Sequence, residues 1–276
     1  MTLLEVEKLR VAFRTRGLRA KPVEVLHGVS LEVAAGETLG LVGESGSGKT
    51  TIGRAVLGLV KPSGGSIRFD QREISGLSRR ERRTLAPDIQ VVFQDPYSSL
   101  NPAMTIGEIL SEPLVVQGTV AKGARARVRA LLDQVGLPSD ASERLPREFS
   151  GGQRQRVAIA RALALEPKLI VCDEPVSALD LSTQARVLDL FIDIQRRTGV
   201  SYLFVSHDLT VVRHISHRVA VLYQGDLVET GPAPDVTSTP SHPYTQRLLL
   251  AAPVADPALQ RRRRERRARL RTSTAV

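Results

Sequence analysis

The sequence predicts an α/β fold with a largely parallel central sheet. Three observations carry this. Short apolar runs at 38–42, 169–172 and 202–205 are bounded by glycine or by polar turns, as strands buried on both faces are. Val187, Leu190, Phe191 and Ile194 fall at i, i+3, i+4 and i+7 within 182–198, the spacing of an amphipathic helix. Strand-like and helix-like segments alternate along the chain. In order, 3–13 and 23–33 alternate as strands around a polar, basic turn at 14–22, and 35–37 turn into the run 38–42. A glycine-rich loop leads into an apolar helical stretch at 52–60, stopped by Lys61, Pro62, Ser63, Gly64 and Gly65. Strands are expected at 66–70 and 89–93. Between about 105 and 165 the pattern is helical and arginine-rich, with turns at Gly118, Gly136 and Pro146. After 169–172 and the helix 182–198, which Gly199 caps, come a strand at 202–205, a short helix at 209–215, and strands at 219–222 and 227–228. No internal repeat is visible.

The 276 residues suffice for a substantial core. A single cysteine, Cys172, excludes a disulfide scaffold, a four-cysteine zinc site and an iron–sulfur cluster, and fits a reducing compartment. No stretch approaches the ~20 apolar residues of a membrane helix, and the first residues alternate like a strand rather than a signal peptide. A soluble, intracellular protein is expected, with docking on a membrane partner left open. The net charge is +10, but 261–271 holds eight arginines against one glutamate, so the rest of the chain carries only +3. Charge alone therefore gives no reason to expect a nucleic-acid partner.

Gly43, Glu44, Ser45, Gly46, Ser47, Gly48, Lys49 and Thr50 match G-x-x-x-x-G-K-[ST], between a predicted strand and a predicted helix. In such a loop backbone N–H groups turn toward phosphates, and the helix N-terminus adds partial positive charge. Lys49 supplies an ammonium to the β- and γ-phosphates, and Thr50 a hydroxyl to Mg²⁺. Asp173 ends the run 169–172 and so sits at a strand tip, where ligands of open α/β sheets bind; it can hold Mg²⁺ through water. Glu174 is placed to orient or deprotonate a water near the γ-phosphate. Without the loop, this acidic pair would read as a helix cap. Ser150, Gly151 and Gly152, at the start of another helix, form a second set of anion-facing N–H groups.

In that arrangement the chain resembles the ATP-binding subunits of ABC transporters. The resemblance runs along nearly the whole sequence and in the family's order: Walker A at 43–50, the Q-loop Gln94, the signature at 150–153, Walker B ending at Asp173, Glu174, a D-loop at 177–180, and the switch His207. It implies a P-loop NTPase (RecA-like) core with an antiparallel β subdomain and an α-helical signature subdomain. The core would span about 1–94 and 166–235 and the helical part about 95–165. A C-terminal extension, 236–276, would carry the basic tail. It further implies ATP and Mg²⁺ as ligands, with Thr51 in the ATP site beside the Walker A residues and Gln94 joining Thr50 and Asp173 at the metal. Phe13 would stack on adenine, or else be a strand-end core residue. His207 would contact the γ-phosphate. Ser150, Gly151, Gly152 and Gln153 would serve the nucleotide of a head-to-tail partner, and Asp180 would couple the two sites. Phe149 stands where the family usually has Leu, an apolar exchange. The partners implied are a second ATPase subunit (a different chain, or a second copy), two transmembrane permease subunits and, indirectly, an extracytoplasmic solute-binding protein, with no nucleic acid. The location implied is peripheral, on the cytoplasmic face of the cell membrane.

Two further segments, 94–102 and 241–249, resemble the peptide/nickel importer branch. They imply an ATPase that powers dipeptide or oligopeptide uptake. A nickel importer ATPase of the same branch and a soluble subunit of a phosphonate-degrading complex are the alternatives. The branch's cysteine-cluster type is excluded by the lone cysteine. DNA-repair ABC proteins insert long modules between the Walker motifs, and the 124 positions from Lys49 to Asp173 leave no room for them. A GTPase would need N-K-x-D, which the chain lacks. His214 and His217 read as solvated or half-buried histidines, Cys172 as a core residue, the arginine run 79–83 as a solvated helix face, and the tail 261–271 as disordered, with contact to anionic lipid the alternative.

Overall fold

The computed structural model describes residues 1–13 and 22–251. The chain opens with β1 (Thr2–Phe13), paired antiparallel with β2 (Val23–Ala34), and then enters β3 (Thr38–Val42), which is buried throughout. The phosphate loop follows, then α1 (Lys49–Val56), β4 (Gly64–Phe69), β5 (Arg72–Glu73), α2 (Arg79–Arg83) and β6 (Ile89–Val92). A helical stretch comes next: α3 (Pro96–Ser99), α4 (Ile106–Val116), α5 (Ala121–Gln134) and α6 (Gly151–Leu163). The chain then completes its sheet with β7 (Leu169–Asp173), α7 (Leu181–Thr198), β8 (Ser201–Ser206), α8 (Leu209–Ile215), β9 (Arg218–Tyr223) and β10 (Asp226–Pro232). It ends in α9 (Ala233–Ser238) and α10 (Pro243–Ala251). Among the described residues no helix is long and apolar enough to cross a membrane. The turn at 14–21 and the basic tail lie outside the described residues.

Two sheets organise the molecule. One is antiparallel, in the order β2-β1-β4-β5. The other runs β10-β9-β3-β8-β7-β6, and every pairing in it except β10 with β9 is parallel. Alternate residues of its central strands enter different cores. Ile170, Cys172, Tyr202 and Phe204 face α4, α5, α6 and α7, whereas Leu169, Val171, Leu203 and Val205 face α1 and the antiparallel sheet. Because both faces are buried, these strands read as unbroken apolar runs. Phe191 of α7 meets Tyr202 and Phe204 edge to face, at 5.4 and 5.7 Å between ring centroids.

Two local expectations need correction. The apolar stretch 52–60 is not one helix: α1 stops at Val56, and the Leu59 and Val60 N–H groups fold back onto the Arg54 carbonyl at 2.8 and 3.2 Å. Leu59 is then left 63% exposed, so apolarity there does not mark a helix face. Nor is the arginine run on α2 wholly solvated. The Arg82 guanidinium donates to the carbonyls of Val56, at 2.6 Å, and Ile74. It caps the C-terminus of α1, where unpaired carbonyls and the helix dipole favour a cation. Burial pushes its pKa down. Arg82→Ala is expected to destabilise the protein by about 2 kcal/mol in urea unfolding, whereas Arg83→Ala, on the exposed side, should stay within about 0.5 kcal/mol.

Candidate functional site

The C-terminal ends of β3, β8 and β7 lie side by side, with Val42 level with Ser206 and Val205 level with Asp173. The phosphate loop, His207, and the pair Asp173 and Glu174 therefore emerge from one sheet edge, where open α/β folds bind ligands.

The loop's shape depends on its glycines, Gly43 and Gly48 among them. Gly48 has φ +106°, open to glycine but not comfortably to side-chain residues. A Cβ at Gly43 would stand 2.1 Å from the Leu222 carbonyl oxygen, so the backbone passes too close to β9 for any side chain. Lys49 begins α1 and is 4% exposed. Its Nζ donates to the carbonyls of Gly43 and Glu44, both at 2.8 Å. Burial pushes its pKa below the ordinary lysine value, although Glu174, Asp173 and Glu44 favour the charged form. Thr50 Oγ1 donates to Asp173 Oδ1 at 2.8 Å. Burial raises the pKa of Asp173, against the opposing effects of that bond and of Arg54 and Lys49. A buried cation and a half-buried carboxylate are thus each short of compensation, a state that an incoming anion and cation together would relieve. Thr50 and Asp173 form an all-oxygen pair of the kind hard divalent cations take. Of the other loop residues, Ser47 and Gly48 are buried, Glu44, Ser45 and Gly46 exposed, and Thr51 half-buried on α1.

Beyond Asp173 the chain turns sharply: Glu174 has φ +49°, a left-handed conformation that costs a side-chain residue about 1–2 kcal/mol. Its N–H donates to the Val205 carbonyl at 3.0 Å, and its Oε2 lies 3.0 Å from His207 Nδ1. The left-handed turn thus sets a carboxylate against an imidazole 33 positions away in sequence.

The other expected residues sit as follows. Gln94 lies two residues beyond β6 at the same edge, but its exposed side chain makes no hydrogen bond among the described residues, to Thr50 and Asp173 or elsewhere. Phe13 ends β1 at 45% exposure. It pairs with Val23, two positions before Val25, whose backbone carbonyl lies beside Gly48, so the end of β1 lies outside the core with its strand partner leading toward the loop. Ser150 caps α6. Its Oγ accepts from the Gln153 N–H at 3.3 Å, and Gln153 Oε1 accepts from the Ser150 N–H at 2.9 Å. Gly151 and Gly152 open the first turn, whose N–H groups lack intrahelical partners by construction. Phe149 is buried in the helical core. Asp180 caps α7, accepting from the Thr183 N–H at 3.0 Å and from Ser182 Oγ at 2.7 Å, and these bonds hold its carboxyl far below the usual range. His214 pairs with Asp189 at 2.9 Å while His217 accepts from the Thr38 N–H at 3.0 Å, so the two histidines serve separate structural contacts. Burial pushes the Cys172 thiol up.

Sequence reasoning missed Tyr244. It belongs to α10, yet its hydroxyl accepts from the Glu44 N–H at 2.9 Å. The only signal for it was the segment 241–249, which says nothing of where the side chain goes.

A strand, a glycine-rich loop and a helix, faced by an acidic pair and a histidine at one sheet edge, are the arrangement expected of a nucleoside-triphosphate site. Known proteins give the family. The ABC transporter family model matches residues 26–177, and the model of the oligopeptide/dipeptide transporter C-terminal region matches 228–275. The chain belongs to the ABC transporter family. It is 52% identical over 267 residues to the glutathione import ATP-binding protein GsiA of Escherichia coli (strain K12), a match that covers 95% of this chain and 43% of that protein. It thus spans under half the length of the GsiA relatives. A Brucella abortus (strain 2308) protein bearing a peptide import ATP-binding name is 53% identical, over 92% of this chain and 80% of its own length. Among solved structures, CbiO1 of Clostridium perfringens, part of the ABC transporter complex CbiONQ, superposes with a TM-score of 0.77 at 28% identity, covering 86% of this chain and 91% of its own. The ATP-binding cassette MJ0796, as a dimer in a post-hydrolysis state with ADP and Pi, superposes with a TM-score of 0.75 at 29% identity, covering 84% and 99%.

Proposed function

We propose that this chain is the ATP-hydrolysing subunit of an ABC importer for dipeptides or oligopeptides, acting by ATP-driven, head-to-tail closure of two such cassettes. The observation that carries it is the joint placement of Lys49, Thr50, Asp173, Glu174 and His207 at one sheet edge in a chain whose C-terminal segment matches the peptide-transporter model. Small peptides are favoured as cargo because relatives bear glutathione and peptide import names.

In this reading Lys49 leaves its carbonyl acceptors for the β- and γ-phosphates, gaining charge-assisted bonds that offset its burial. Thr50 and Asp173 would hold Mg²⁺, assisted by Gln94 once it swings inward; the metal supplies charge neutralisation at the phosphates. Glu174 accepts the proton of the attacking water, and His207 fixes that carboxylate while reaching for the γ-phosphate. Phe13 stacks on the adenine. Ser150, Gly151, Gly152 and Gln153 face the nucleotide of the partner cassette, and Asp180 lies between the two sites. The region 95–165 is the arm that meets a membrane subunit, hinged at Gln94 on the core 1–94 and 166–235, with 236–276 as a C-terminal extension. The partners are a second ATPase subunit, two permease subunits and, through them, a solute-binding protein.

The test is a pull-down of the tagged chain in mild detergent with partners identified by mass spectrometry. Two multi-span membrane proteins and a second ATPase are expected. A wholly soluble set of partners would overturn transport and leave the ATPase chemistry standing.

A further inference from the structure

We propose that Tyr244 is a positioning residue of the phosphate loop, through which the C-terminal segment sets the nucleotide affinity of the site. The inference rests on the reading of residues 43–51 as the ATP cradle.

Tyr244 lies 200 positions from Glu44, is 2% exposed, and accepts the Glu44 N–H at 2.9 Å. That N–H belongs to the same planar peptide unit as the Gly43 carbonyl, which accepts from Lys49 Nζ at 2.8 Å. Tyr244 and Lys49 therefore grip opposite ends of one peptide plane. With the hydroxyl in place the plane cannot rotate without breaking a bond, so the entry to the loop and the seat of Lys49 are fixed together. Further along the loop, the Ser47 carbonyl accepts from the Gly225 N–H at 3.0 Å, and the Gly225 carbonyl accepts from the His27 N–H at 3.1 Å. The loop is thus braced at its second and fifth residues.

The brace is itself anchored. The Tyr244 ring packs on Tyr223, which ends β9, with centroids 4.2 Å apart. The Glu229 carboxylate on β10 accepts from Ser241 N–H at 2.7 Å, Ser241 Oγ at 2.9 Å and His242 N–H at 3.2 Å. His242 Nδ1 accepts from the Tyr244 N–H at 3.2 Å. Glu229 thus fixes the start of α10, and α10 delivers the hydroxyl to the loop. A preorganised cradle binds more tightly than one that must be ordered by its ligand.

The experiment is an equilibrium titration of the full chain with a fluorescent ATP analogue and Mg²⁺. Tyr244→Phe keeps the ring stack and removes only the acceptor, so Kd is expected to rise by about twofold to fivefold, at most the worth of one ordinary hydrogen bond, with the thermal midpoint of the nucleotide-free chain falling by no more than about 4 °C. Glu229→Gln should shift Kd in the same direction. Combined with Tyr244→Phe it should add little, since both act through one contact. Tyr223→Phe should leave Kd unchanged. A Tyr244→Phe chain with unchanged or lower Kd, in a protein whose Lys49→Ala variant loses binding, overturns this inference and leaves the ATP reading intact. A wild-type chain that binds no ATP overturns both. Independently of any variant, the Glu44 amide should be protected from hydrogen exchange in the nucleotide-free chain; exchange at the unprotected rate overturns the inference.

Discussion

Lys49→Ala is expected to abolish tight ATP binding, with Kd rising by roughly two orders of magnitude or more. The lysine is buried at the start of α1, and among the described residues its ammonium has only the Gly43 and Glu44 carbonyls as partners within 3 Å. Two charge-assisted bonds to phosphate, at about 1.5–3 kcal/mol each, account for a loss of that size. Burial lowers the pKa of Lys49, so the ammonium is an expense of the nucleotide-free fold. That cost offsets part of what the two lost bonds contribute, so the Ala variant should remain folded and melt in a single transition. This separates lost binding from unfolding, and titration beside a thermal scan reads both. Unchanged ATP affinity would contradict the assignment of the loop.

The parts of this molecule that were legible in the sequence are those whose cause is local. The strands at 38–42, 169–172 and 202–205 stood out because burial on both faces leaves them almost wholly apolar, even though successive side chains serve different cores. The helix through Val187, Leu190, Phe191 and Ile194 was legible because it has one wet face, and all four are buried. The phosphate loop and the acidic pair Asp173 and Glu174 were legible for the same reason: contiguous residues at a strand end, where backbone geometry does the placing. What escaped depends on tertiary acceptors. Arg82 looks like its neighbours in a charged run, and it becomes structural through the Val56 carbonyl at the end of α1, 26 positions away, together with the Ile74 carbonyl. Leu59 extends an apolar stretch, but the backbone turn onto Arg54 expels it. The contact of Glu174 with His207 could be anticipated only through family order, and that of Tyr244 with Glu44 not at all, because no periodicity links residues 200 positions apart.

Glu174→Gln is expected to preserve ATP binding and to suppress turnover by about 10²–10⁴-fold, the range for loss of a positioned general base. The amide matches the carboxylate in shape. It can occupy the same left-handed turn at φ +49° and still meet His207 Nδ1 with the histidine in the appropriate tautomer. What it cannot do is accept a proton from water. With ATP bound and unhydrolysed, the closed pair of cassettes should accumulate, visible in size-exclusion chromatography with ATP and absent without it, as a species of twice the monomer mass for two copies of this chain or of the summed masses when the second ATPase is added. Glu174→Ala discriminates further: it removes the base and the contact that fixes His207 together, so its turnover should fall at least as far, with weaker trapping of the closed pair. Turnover at the wild-type rate in Glu174→Gln would remove Glu174 from the mechanism and pass the role of base to another group at that edge, for which His207 is the nearest candidate, 3.0 Å away.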